Sequence, residues 1–306
     1  MTRRLPAALS LLVLLVMPAH AEEIALTVTS VGSGTQLPAT LLKPEGDGPF
    51  PAVVMMHDCS GLGPRSSGSP RRWADQLVPQ DYVVIMPDSF GPRGFPDGTC
   101  TAGPPDNRRA SGYVRAADAY GTLALLRTLP YVDGRRVGIM GGSHGGWTAL
   151  AALSAVADDK DPLREARRDG FTAGLALYPR CGIPFGTWSA TRAEGSRGPV
   201  VSYSGIYRPL APLLILAGEL DDWTPAEECR ELAVRSRAAG HPVDITIYPG
   251  AHHSFDSANP VRYVERRNNP NSPTGRGATT GGNAEAWAAA REDVRIFFAR
   301  HLKAAP

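Results

Sequence analysis

The run Val137-Gly138-Ile139-Met140-Gly141-Gly142-Ser143-His144-Gly145-Gly146 carries an apolar stretch into Gly-x-Ser-x-Gly, and an Ala-rich segment, Trp147–Val156, follows it. This pattern predicts a buried strand, a tight turn and a helix, in that order. Side chains two residues either side of the serine would collide across such a turn, which is why both positions are glycine. Ser143 is then expected in a strained conformation with its hydroxyl exposed, above a helix N-terminus that favours developing negative charge. A bare Gly-x-Ser-x-Gly also describes an ordinary glycine-rich turn. The flanking strand and helix are what favour a nucleophile.

Working outward, strand-like runs recur at Ile24–Val31, Leu37–Leu42, Ala52–His57, Tyr82–Met86, Arg136–Met140, Thr172–Tyr178, Leu213–Ala217 and Val243–Tyr248. Continuous apolar stretches such as Val53-Val54-Met55-Met56 suit strands covered on both faces. Helical patterns alternate with them at Ala116–Leu129, Trp147–Val156, Ala226–Ala239 and Ala284–Leu302, the last behind Asn283 as N-cap. The alternation predicts a doubly wound, mostly parallel α/β sheet flanked by helices, without a repeat or domain boundary. Gly61–Pro70, Gly91–Asn107 and Asp256–Asn283 read as long loops, the last as a lid or a loosely ordered insertion.

The first residues, Met1-Thr2-Arg3-Arg4, an apolar run from Leu5 to Met17 and Pro18-Ala19-His20-Ala21, have the parts of a secretory signal peptide cut after Ala21. A retained anchor is the alternative, but the run is short for a bilayer. Residues 22–306 are then one domain, exported to a periplasm or the extracellular space. The formal charge of +2 is lost with Arg3 and Arg4, so the mature chain gives no reason to expect nucleic acid or stable membrane insertion. The four cysteines, Cys59, Cys100, Cys181 and Cys229, point to two disulfides in an exported chain, and their spacing leaves three pairings open.

A serine hydroxyl needs a base, and the base an orienting acid. Past the run Leu213–Ala217 comes Gly218-Glu219-Leu220-Asp221-Asp222-Trp223-Thr224-Pro225, and past Val243–Tyr248 comes Pro249-Gly250-Ala251-His252-His253-Ser254-Phe255. Both stand where an α/β sheet places its ligands, at strand C-termini. Asp221 is also readable as a helix N-cap, a role that Asp222 fits better. Spacing alone leaves His252 and His253 open.

These segments, with His57-Asp58-Cys59-Ser60-Gly61 and Pro87-Asp88-Ser89-Phe90-Gly91, resemble the dienelactone hydrolase family of α/β-hydrolases over nearly the whole mature chain. The resemblance implies an α/β-hydrolase fold and Ser143, Asp221 and His253 as catalytic triad, because the family's histidine precedes a small residue and Phe. It implies an oxyanion hole from the backbone N–H groups of His144 and Cys59, each donor worth about 10²–10³ in rate. It also implies the disulfides Cys59–Cys100 and Cys181–Cys229. Asp58 falls where the family keeps an acidic residue, here with a substrate-binding or a structural hydrogen-bonding role. Two departures argue against dienelactone itself. Ser143 replaces the cysteine of the best-known members, and Ser257 stands where a substrate-binding arginine would be. Arg93, one residue out of register with a second such arginine, is a candidate anion binder or a loop ion pair.

The expected function is cleavage of a small-molecule carboxylic ester or lactone through an acyl-enzyme. A peptidase or thioesterase on the same fold, or a non-catalytic binding protein retaining it, are the alternatives. His57 reads as structural, and Trp73 and Trp147 as core or pocket wall. No ligand spacing supports a metal, and no cofactor is expected.

Overall fold

The computed structural model describes residues 21–102, 108–156, 161–194 and 197–303; the expected signal peptide lies outside the described residues apart from Ala21. An eight-stranded sheet forms the centre, in the order β1 (Glu22–Thr29), β2 (Gln36–Lys43), β4 (Val83–Pro87), β3 (Phe50–Met56), β5 (Val132–Gly142), β6 (Ala173–Leu177), β9 (Leu213–Gly218), β10 (Val243–Tyr248). The pairings β1/β2 and β2/β4 are antiparallel, and all the others in this sheet are parallel.

The apolar runs are buried on both sides, as strands under two helical layers must be. Val54 and Met56 of β3 face a core with α2 (Gly112–Leu126), α3 (His144–Leu153) and α5 (Ala226–Ala238). Their neighbours Val53 and Met55 face the opposite core, with α1 (Ser69–Leu77) and α6 (Ala284–Phe298). The period-two alternation of a strand thus feeds two helical layers from one hydrophobic run.

The chain differs from the sequence expectation where local pattern is weak. Helix α1 begins inside the expected Gly61–Pro70 loop, with Pro70 in its first turn, where a missing N–H costs nothing. Residues 256–283 hold an antiparallel hairpin, β11 (Arg262–Asn268) with β12 (Arg276–Thr280). A second hairpin joins β7 (Ser189–Glu194) to β8 (Arg197–Ser204). Both hairpins are polar and largely outside the core, so they lack the apolar alternation that announces a strand. A short α4 (Arg164–Arg168) also went unannounced. Disulfides join Cys59 to Cys100 and Cys181 to Cys229. No described helix is long and apolar enough to cross a membrane.

Candidate active site

Ser143 stands between β5 and α3 at φ 53°, ψ −111°, a conformation L-residues rarely adopt. Its glycine neighbours are required by contact. A Cβ on Gly145 would lie 1.9 Å from the Met56 carbonyl oxygen, and one on Gly141 would lie 2.5 Å from the Gly145 carbonyl carbon. The Ser143 N–H donates to the Leu177 carbonyl at 2.8 Å, which anchors the turn to β6.

Three side chains from separate strand ends meet there. His253 Nε2 is 2.9 Å from Ser143 Oγ, and His253 Nδ1 is 2.7 Å from Asp221 Oδ2. All three residues are buried. The carboxylate selects the tautomer with hydrogen on Nδ1, leaving Nε2 to accept from the serine hydroxyl. Asp221 is itself fixed, since its Oδ1 accepts from the N–H groups of Trp223 at 2.9 Å and Thr224 at 2.8 Å. The Thr224 hydroxyl adds a contact that sequence reasoning missed: it lies 2.9 Å from both Asp221 Oδ2 and His253 Nδ1. The imidazole is packed between the Tyr178 and Trp223 rings, each with its centroid 4.7 Å away.

Of the histidine pair, His253 turns inward while His252 Nδ1 faces the Leu220 carbonyl at 3.0 Å. Asp222 does not cap α5, whose N-cap is Pro225 without a side-chain bond. Its carboxylate instead accepts from the Thr279 N–H and hydroxyl, both at 2.8 Å, and so ties β12 to the acid loop. The same hairpin supports the histidine loop, because the Gly281 N–H donates to the His253 carbonyl at 3.0 Å.

Arg93 and Asp58 are both engaged within the protein. Arg93 donates to Asp118 through two nitrogens, at 2.7 and 2.9 Å, and to the Ser89 carbonyl at 2.6 Å. It does not line the cavity at Ser143, so the ion-pair role replaces the anion-binding one: a cation this buried needs a fixed partner. Asp58 accepts from the Ser60 N–H at 2.7 Å and from the hydroxyls of Ser60 and Ser67, each at 2.5 Å. Those bonds make it a structural acceptor that braces the Cys59 loop.

His57 is enclosed beside them. Its Nδ1 donates to the Asp58 carbonyl at 2.9 Å and its Nε2 accepts from the Ser89 N–H at 3.1 Å. Burial, with Arg115 nearby, holds the pKa of His57 well below the ordinary imidazole value, and the same two causes act on His144. Trp73 belongs to the core and donates to Asp256 at 2.8 Å, whereas Trp147 forms a wall of the cavity.

That cavity, of about 620 Å³, opens over Ser143 between the loop at Cys100, the start of α2 and both hairpins. Cys59 and His144, the expected oxyanion donors, line it beside Ser143. A second cavity of about 40 Å³ also reaches Ser143 and His253, on the side of Asp58. Among the described residues no three His, Cys, Asp or Glu side chains converge as a metal site requires.

Comparison with known proteins gives the family and the fold. The family model described as "Dienelactone hydrolase family" matches residues 37–161 and 202–302. A Synechocystis sp. protein provisionally named carboxymethylenebutenolidase is 23% identical over 284 residues, covering 90% of this chain and 96% of that one. A provisionally named dienelactone hydrolase from Klebsiella pneumoniae superposes with a TM-score of 0.61 at 18% identity, over 91% of this chain and 99% of that chain. A propionate-bound esterase from Thermogutta terrifontis gives 0.58 at 16% identity, over 94% and 96%. At such identities the two structures speak for the fold.

Proposed function

The chain belongs to the dienelactone hydrolase family and is a carboxylic ester hydrolase, and from that premise we propose that Ser143, His253 and Asp221 carry its reaction. The observation that carries this reading is the unbroken chain of contacts, 2.9 Å from hydroxyl to imidazole and 2.7 Å from imidazole to carboxylate. His253 Nε2 takes the Ser143 proton as Oγ attacks the ester or lactone carbonyl. Asp221 holds the ring and offsets its positive charge. The backbone N–H groups of His144 and Cys59 receive the oxyanion, in the cavity they both line. Collapse of the tetrahedral intermediate expels the alkoxide, which takes the proton from Nε2 and leaves an acyl-Ser143. Water, deprotonated by the same nitrogen, then releases the acid and restores the hydroxyl.

Ser143→Ala should lose turnover of p-nitrophenyl acetate by several orders of magnitude and escape labelling by a fluorophosphonate probe. Ordinary turnover in that variant would end the proposal. We further place the mature enzyme outside the cytoplasm, because two disulfides persist where thiols are not kept reduced. N-terminal sequencing of the exported protein, expected to begin at Glu22, checks this.

A further inference from the structure

We propose that the cavity over Ser143 contains an anion-binding subsite built from Arg108, Arg180, Arg197 and Arg276, and that the natural ester carries more than one negative charge remote from its reacting carbonyl. The proposal rests on the hydrolase reading above and names the substrate class of that same site.

The four arginines come from four separate segments: the approach to α2, the loop after β6, strand β8 and strand β12. The fold brings them to one cavity, and among the described residues no Asp or Glu lines it. Three enclosed arginines elsewhere are neutralised, in Arg93–Asp118, Arg167–Asp161 and Arg192–Glu228, whereas buried Arg115 is held by His144 and the His57 carbonyl. Arg180 is half-buried, and Arg108, Arg197 and Arg276 are exposed at the mouth of the cavity. The carboxylate whose field Arg180 does feel, Glu228, is engaged by Arg192 at 3.1 Å. The two hairpins meet at this rim, for a Cβ on Gly275 would stand 3.4 Å from Arg197 Nε. By contrast, the large open depression around Arg127, Arg135 and Arg168 also contains Asp133 and Asp169, and so carries mixed charge.

Cations around a concave wall focus field lines and concentrate anions. Guanidinium groups match carboxylate or phosphate oxygens with paired donors. Tyr113, Trp147 and Trp223 line the same cavity and give it apolar wall beside the cations. The tight side of Ser143, about 40 Å³, leaves room for only a short group, so the charged part belongs on the wide side.

This subsite is distinct from the family contacts the sequence resembles. Arg93 is paired with Asp118, and Ser257 stands at the other arginine position. Arg180 and Arg197 lie within residues 162–201, the stretch between the two segments that match the family. Half of the cationic wall thus lies outside the matched segments, while Arg108 and Arg276 lie within them.

The test compares two acetates with the same reacting carbonyl, phenyl acetate and 5-acetoxyisophthalate, which differ by two carboxylates on the leaving group. At low ionic strength kcat/KM should favour the dianion by about tenfold or more, and the ratio should shrink as salt rises. In the double variant Arg180→Gln/Arg197→Gln the ratio should fall towards one, and Arg180→Lys/Arg197→Lys should restore part of it. A ratio cancels any loss of active protein. No preference in the wild type, or one unchanged in the double Gln variant, overturns the subsite while leaving the hydrolase intact. If neither ester is cleaved and the fluorophosphonate does not label, the hydrolase reading fails instead. Calorimetric binding of isophthalate, weakened in the double Gln variant, then upholds the subsite, and no binding removes it.

Discussion

Arg115 of α2 donates one guanidinium nitrogen to Nδ1 of His144 at 2.7 Å. Another donates to the carbonyl of His57, also at 2.7 Å. The residue is fully buried, its guanidinium 4.7 Å from the centre of the Phe90 ring. One cation thus joins the two segments that converge on Ser143, the start of α3 and the loop His57-Asp58-Cys59. Because Nδ1 of His144 must accept, that ring stays neutral and its hydrogen sits on Nε2.

Arg115 is therefore placed to position both proposed oxyanion donors. Arg115→Met should lower kcat for p-nitrophenyl acetate by about 10²-fold, with KM little changed. Arg115→Lys should recover part of this. Rates are to be normalised to active sites counted by fluorophosphonate titration. A purely structural role would reduce the count and leave kcat per site alone.

Thr224 supports the acid and histidine from the other side through its hydroxyl. Thr224→Val removes that oxygen and keeps the shape. We expect kcat to drop by about tenfold, with Thr224→Ser close to wild type. Equal rates for the Val and Ser variants would show the contact to be idle.

Stability should fall on mild acidification. His57 and His144 are held neutral in the folded chain, with pKa values well below the ordinary 6.5. Above that value neither ring is protonated in either state, so the folded form keeps its full advantage. Below it the unfolded chain binds protons that the folded chain refuses, at a cost of up to about 1.4 kcal/mol per pH unit for each ring. Melting temperature should decline from pH 7 to 5, less steeply in His57→Asn. A flat profile would contradict the burial of these rings.

The Arg93–Asp118 pair is enclosed, so losing one partner strands a charge. Asp118→Ala should destabilise by about 3–5 kcal/mol in urea unfolding, while Arg93→Met/Asp118→Leu should recover much of that. A single variant as stable as wild type would mean that water reaches the pair.

The two disulfides should differ in effect. Cys59 and Cys100 line the cavity over Ser143, whereas Cys181 and Cys229, the latter within α5, sit in the core. Replacing either pair with serine should cost about 3–4 kcal/mol through a freer unfolded chain. The Cys59–Cys100 change alone should also depress kcat/KM, because it releases Cys59, a proposed oxyanion donor. Equal activity in both variants would separate that bridge from catalysis.

Much of the fold was legible because its signals are local. Val53 to Met56 had to be covered on both faces, and Gly141 and Gly145 left the chain one way to turn between strand and helix. Asp221 and the His252-His253 pair stood just past apolar runs, so their place at strand ends followed from the pattern. Other features depend on contacts between residues far apart in sequence. His253 rather than His252 faces Ser143 because the chain reverses at Ser254, φ 58°, against β12. Arg93 turned to Asp118 because α2 passes beside its loop. The hairpins were hidden because their strands bury few apolar side chains, and they owe their order to bonds such as Thr279 to Asp222. Residue types and spacing thus determined the sheet and the chemistry of the nucleophile. Only the packed structure decided which cations are neutralised and which face the cavity, since Coulomb energy depends on distance through space.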